Sequence, residues 1–142
     1  MKNQNDLPRE EFMIDSIFFD EYTVTEAYGP VTIKKLGRCK IYVYGKEGKI
    51  PHFHLISDNG EFETCICITQ PKYFLHGSKT DKLTRVQREQ LNDFLKTQTP
   101  KMPNSTIFQA IVFAWNFANE DNMPIPFDTK QPNYCIMTDS IK

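Results

Sequence analysis

The alternation of apolar and polar residues is clearest from Ile50 to Thr69, IPHFHLISDNGEFETCICIT, where two runs flank Asn59-Gly60. Asn-Gly most readily supplies the two left-handed residues of a type I′ turn, so the stretch predicts a β-hairpin in which Asp58 faces Glu61. That register puts His54 opposite Cys65 and His52 opposite Cys67, and residues directly opposite share a face. One face then carries His52, His54, Glu63, Cys65 and Cys67, and the other Phe53, Leu55, Phe62, Thr64, Ile66 and Ile68.

Arg38 to Tyr44 alternates as well, with Cys39, Ile41 and Val43 on one side and Arg38, Lys40, Tyr42 and Tyr44 on the other. Its pairing depends on the loop that follows. Four loop residues would set Ile41 and Val43 beside the histidines, whereas five set them beside Phe53 and Leu55. Each buried aliphatic or aromatic side chain contributes about 1.5–3 kcal/mol, which favours the continuous apolar face. The opposite face then gathers Lys40, Tyr42 and Tyr44 around His52 and His54. Earlier in the chain, Tyr22-Thr-Val-Thr and Val31-Thr-Ile-Lys on either side of Tyr28-Gly29-Pro30 suggest a first hairpin. Glu11 to Tyr22 fits a short helix and an extended segment equally well.

Downstream, Lys72 to Asp81 reads as a connection over the sheet edge. Thr84 with Gln87 forms a capping box for a helix whose apolar face holds Leu83, Val86, Leu91, Phe94 and Leu95. Pro100 and Pro103 end it, and Ser105 is the expected cap of a second helix through Ile107 to Phe117. That helix is apolar around most of its circumference, with Trp115 in the core. The polar residues 1–10 and an extended, proline-containing tail, 119–142, flank the folded part, and Asn133-Tyr-Cys-Ile-Met is a candidate edge strand. The expected architecture is one α+β domain over residues 1–142: an antiparallel sheet of four or five strands with two helices packed on one face.

Composition narrows the function classes. With 142 residues, 39% hydrophobic and 13% aromatic, the chain can fill one core. The first residues, MKNQNDLPREEF, lack the apolar run of a signal peptide, and no stretch is long and apolar enough to span a bilayer, so a soluble, cytoplasmic protein without a membrane partner is expected. Four cysteines are too few for a disulfide framework, and reduced thiols are expected. A net charge of −1 argues against bulk attraction to nucleic acid. The charge is uneven all the same: 34–49 holds six bases against the single acid Glu47.

Alternate histidines on a strand lie about 6.5–7 Å apart in Cα terms and point the same way, close enough for two imidazoles to converge on one ion. Zinc would accept His52 and His54 with one of Glu63, Cys65 or Cys67, but not all together, because both thiolate arms are too short. Three protein ligands leave a position open, as catalytic zinc requires, which points to a metal-dependent hydrolase or nuclease. The competing reading makes the histidines half-buried sheet residues bonded to Tyr42, Glu63 or backbone carbonyls, with the cysteines acting as small hydrophobes. His76, beside Gly77 in a connecting loop, reads as a solvated side chain, with a general base near the sheet edge as the alternative. Cys39 and Cys135 have no evident basic partner that would make them nucleophiles. Arg38, Lys40, Tyr42 and Tyr44 mix basic and aromatic groups on one strand face, as a single-stranded nucleic-acid surface would, although the overall charge does not favour that partner.

The segment Gly48-Lys-Ile-Pro51-His52-Phe53-His54-Leu55 resembles a small bacterial domain of unknown function marked by a Pro-His-x-His strand after a glycine-containing loop. The likeness continues through Gly60-Glu61, the helix start Leu83-Thr84 with Arg88-Glu89-Gln90-Leu91, and Ala114-Trp115-Asn116, covering about 38–119. Members are often encoded beside a second small protein in a toxin–antitoxin-like arrangement. The resemblance implies a small interaction or regulatory module that binds a partner protein through its histidine and tyrosine face: Lys40, Tyr42, Tyr44, His52 and His54. Pro51, His52 and His54 carry over from the pattern. The first hairpin, the tail after Asn119 and Cys65-x-Cys67 lie outside it.

Overall fold

The computed structural model describes residues 10–19, 23–26, 29–32, 36–77 and 79–141. Among them, strands β1 (Glu11–Phe19), β4 (Gly37–Tyr44), β5 (His52–Ser57), β6 (Glu63–Cys67), β7 (Lys72–Phe74) and β8 (Thr138–Ile141) form one sheet in that spatial order. The first five are antiparallel to their neighbours, and β8 joins β7 in parallel. The expected first hairpin is a separate two-stranded ribbon of β2 (Thr23–Glu26) and β3 (Gly29–Thr32), in which Gly29 and Pro30, expected at the turn, pair with Glu26 and Thr25 instead; Tyr22, Tyr28, Ile33, Lys34 and 1–9 of the polar N-terminal end lie outside the described residues.

Register follows the apolar pattern. Ile41 faces Leu55 and Tyr42 faces His54 across β4 and β5, while Phe53 faces Ile66, His54 faces Cys65 and His52 faces Cys67 across β5 and β6. The turn that achieves this is not type I′. Gly60 (φ +74°) is left-handed but Asn59 is not, and the Gly60 N–H donates to the Ser57 carbonyl at 2.9 Å. The Asn59 side chain accepts from the Ser57 hydroxyl and the Glu61 N–H instead, which holds the turn with one left-handed residue.

The ambiguous segment from Glu11 is extended. A register shift between Met13 and Asp15 in β1 accompanies the burial of Ile14, Ile17 and Phe19 against the core. The Lys101 ammonium donates to the Met13 and Ile14 carbonyls beside this irregularity, satisfying acceptors on an edge strand.

Two helices close the apolar face. Helix α1 (Arg85–Leu95) has the expected Thr84–Gln87 capping box. Helix α2 (Ile107–Ala118) is capped by Thr106, not Ser105. Thr106 has Gln109 three residues on to reach back to its N–H, whereas Ser105 has Phe108 there, which has no acceptor. Leu91, Leu95, Ile107, Phe108, Ile111 and Trp115 join Ile41, Val43, Phe53, Leu55 and Ile66 in one buried cluster. None of the described helices is long and apolar enough to cross a membrane.

After Asn119 the chain has little regular structure, yet it is packed and not a loose tail. Tyr134 is fully buried against Phe53, and its hydroxyl lies 2.9 Å and 2.7 Å from the Cys67 and Ile68 carbonyls. Its N–H donates to Asn92 of α1. Holding Tyr134 inward places Asn133 to Met137 outside the sheet, so the edge strand begins at Thr138. Tyr134→Phe keeps the ring and removes the donor to those carbonyls. Urea unfolding is expected to show a loss of about 1–2 kcal/mol with an unchanged slope.

Candidate metal centre

The helix-facing and helix-averted faces of the central strands are both buried. His52 and His54 point from β5 to the side away from Phe53 and Leu55, and they are only 1% and 4% exposed. The loop between β4 and β5 covers them. It turns through left-handed Lys46 (φ +58°) and Gly48 (φ +87°) and carries Glu47, itself 7% exposed, over the face. Helix α2 fixes that loop at its start. A Cβ on Gly45 would come within 2.9 Å of the Ala118 carbonyl oxygen, and Asn119 donates to the Tyr44 carbonyl while its side-chain oxygen lies 3.5 Å from the Glu47 N–H. From the other side, the chain leaving β7 brings His76, whose ring stacks on Phe74.

Three imidazoles therefore surround one buried carboxylate. Glu47 Oε1 lies 2.6 Å from His54 Nε2, and Oε2 lies 2.7 Å from His76 Nε2. His52 Nε2 is 3.5 Å from Oε1, a charge contact too long for a well-formed hydrogen bond. One ligand atom from each of the four residues falls within 4.8 Å of the others. Burial raises the Glu47 pKa, but the contacts from His52 and His54 outweigh it and hold the carboxyl well below the usual carboxylate range.

The tautomer of His52 follows from its surroundings. Its Nδ1 is 2.8 Å from the Ile50 carbonyl, which only accepts, so Nδ1 carries hydrogen. Nε2 is then left buried, with no hydrogen-bond partner, and facing Glu47. Rings pack around it: Phe74 at 4.6 Å, Trp115 at 5.4 Å and His76 at 5.1 Å between centroids.

The far nitrogen of His54 has its own neighbours. Nδ1 lies 3.3 Å from Glu63 Oε2 and 3.3 Å from Cys65 Sγ, and these three residues form a second group of ligand atoms. The Cys65 thiol also points at the His76 carbonyl, 3.6 Å away. Burial, reinforced by Glu63, Glu47 and Cys67, pushes that thiol up to about 12.

The structure thus divides the ligands expected from sequence. His52 and His54 converge as their alternation requires, Glu63 and Cys65 gather on the opposite nitrogen of His54, and Cys67 joins neither group. Glu47 was not anticipated, and His76, expected to be solvated or a general base at the sheet edge, is instead paired with Glu47 inside the cluster. The isolation of Glu47 as the one acid of a basic stretch was the available signal for it, and the Phe74-x-His76 alternation continuing β7 was the signal for His76. Of the residues expected to contact a partner, His52 and His54 are buried, while Lys40, Tyr42 and Tyr44 are half-buried along a shallow groove, with the two tyrosine rings stacked at 5.8 Å.

Alkaline pH tests the burial of the thiols. Burial is the main reason that Cys39 is raised from 9.0 to about 12 and Cys67 from 9.0 to about 11, as it is for Cys65. In the unfolded chain these groups ionise first, so their contribution is complete below about pH 9 and is lost as pH rises toward 11–12. Denaturation midpoints are expected to fall steadily over that window, and Cys39→Ala is expected to shed part of the dependence.

Against family models, curated proteins and solved structures, the chain gives no match.

Proposed function

We propose that this chain is a metal-dependent hydrolase whose ion is held by His52, His54 and Glu47, with His76 completing the site from its open side. The observation that carries the reading is His52 Nε2: a buried nitrogen without a hydrogen-bond partner, 3.5 Å from the buried Glu47 carboxylate. An unsatisfied buried polar atom costs about 1–3 kcal/mol, and an ion bound between this imidazole and the carboxylate would satisfy both. Two histidines and one glutamate are a donor set that catalytic zinc uses, and the bond from His52 Nδ1 to a carbonyl is the outer-shell contact that fixes a metal-binding tautomer.

The roles divide by rigidity and access. His52 and His54 sit on a strand buried on both faces, and Glu47 on a loop tied to α2. His76 lies outside regular structure, next to left-handed Gly77, and its side chain is 33% exposed. It is the ligand that can yield its place to water or substrate, or act as a base beside it. A bound divalent ion would acidify a water and polarise a carbonyl or phosphoryl oxygen. The partner-protein reading is left with Lys40, Tyr42 and Tyr44 as its contact residues.

Trp115 is the only tryptophan, which gives the site a built-in reporter. Cobalt(II) is expected to quench its emission at stoichiometric concentration in wild-type protein, and His52→Ala, if folded by circular dichroism, to abolish the quench. Zinc-loaded protein is expected to hydrolyse an activated phosphodiester, ester or amide, to stop on chelation and to recover on zinc addition. His76→Ala is expected to lose about 10²–10⁴-fold in rate while still binding the ion. Quenching without turnover on any of these substrate classes would sink the hydrolase and leave a metal-binding domain.

A further inference from the structure

We infer that His54 bridges two metal ions: its Nε2 faces the Glu47, His52 and His76 site, and its Nδ1, with Glu63 and Cys65, forms a second site of tetrahedral type. The inference goes beyond the first site and depends on it only through the shared imidazole.

The spacing carries it. Zinc binds nitrogen at about 2.0–2.1 Å, carboxylate oxygen at about 2.0–2.2 Å and thiolate sulfur at about 2.3 Å, so tetrahedral neighbours around one ion stand roughly 3.3–3.6 Å apart. From His54 Nδ1 to Glu63 Oε2 is 3.3 Å, and to Cys65 Sγ is 3.3 Å. These separations already match such an ion, whereas the 2.6 Å and 2.7 Å contacts of Glu47 are hydrogen-bond lengths that must open for the first ion to enter. All three ligands of the second site come from the paired strands β5 and β6: His54 faces Cys65 directly, and Glu63 is two residues along the same face. The backbone sets the geometry there without help from a loop.

The two sites differ in kind. The first has four protein donors and is enclosed by aromatic rings. The second has three, and its Glu63 side chain is 24% exposed, which leaves the fourth position toward solvent. Its thiolate makes it the softer of the two. Binding the second ion releases two protons to solvent, one from the Cys65 thiol and one from His54 Nδ1, and forms bonds from the ion to sulfur, nitrogen and the Glu63 carboxylate. With the imidazole ring between them, the ions cannot form the close pair, about 3.5–4 Å apart, that clamps a phosphoryl group from both sides. The second ion instead draws electron density through the ring and tunes the first.

Cobalt(II) titration of the full chain separates the sites. A thiolate-to-cobalt charge-transfer absorption in the near ultraviolet is expected to account for one equivalent, and the Trp115 quench for another, whichever site fills first. Cys65→Ser is expected to lose that absorption and its equivalent but to keep the quench, and Glu63→Gln to weaken the second ion more than about 10-fold while leaving the first. Both substitutions preserve side-chain size, and retained quenching reports that the pocket is folded. Quenching with no charge-transfer absorption at any cobalt concentration would overturn the second site and spare the first. Neither signal would overturn both. Absorption lost in Cys67→Ser and kept in Cys65→Ser would overturn the assignment of the ligands.

Discussion

Everything in this fold depends on the pairing parity of β4 with β5. A slip of one residue would turn His52 and His54 toward the helices and Phe53 and Leu55 away from them. The buried apolar side chains of the central strands are each worth about 1.5–3 kcal/mol, and each imidazole forced into that core without partners would cost about 1–3 kcal/mol more. Register is therefore specified twice over. Most antiparallel sheets keep one face wet, but here His52 to Leu55 and Thr64 to Cys67 are buried on both sides. The second face is closed by a loop, a carboxylate and three imidazoles, not by another hydrophobic layer.

That polar closure is tolerable because Glu47 is never without positive or hydrogen-bearing neighbours. A lone carboxylate at its depth would be neutralised by protonation, whereas His54 and His76 each place a nitrogen within 2.7 Å of it. The remaining nitrogen, His52 Nε2, has no hydrogen-bond partner, and it is the atom that the proposed ion would satisfy.

Much of this was legible in the residues. Asn59-Gly60 and the flanking alternation gave the hairpin and its register even though the turn geometry differed, because register is set by the count of residues between the strands and by the apolar face. The helices were equally readable, since capping boxes and helical spacing are local signals, although two adjacent hydroxyls, Ser105 and Thr106, could be told apart only by what lies three residues further on. The half of the site carried by β5 and β6 could be read for the same reason, as alternation fixes which side chains meet. Glu47 and His76 were harder to place: an isolated acid and an alternation carried one step past β7 mark them as candidates, but they arrive on loops, and neither signal says which way a loop folds. The burial of Tyr134 was hidden similarly: prolines at 124, 126 and 132 suggest an extended chain without saying where it packs.

The bridge from Asn119 to Tyr44 and Glu47 has a consequence for how the protein assembles. The hairpin of β5 and β6 can form as a local event, closing a short loop, and it brings His52, His54, Glu63 and Cys65 together early. Glu47 is held by a residue 72 positions further along the chain, and at Gly45, two residues before it, the end of α2 comes too close for any side chain. The pocket is thus completed only when a long-range contact closes, which makes it a late product of folding. On a ribosome, a nascent chain would have its core hairpin well before it had its carboxylate in place.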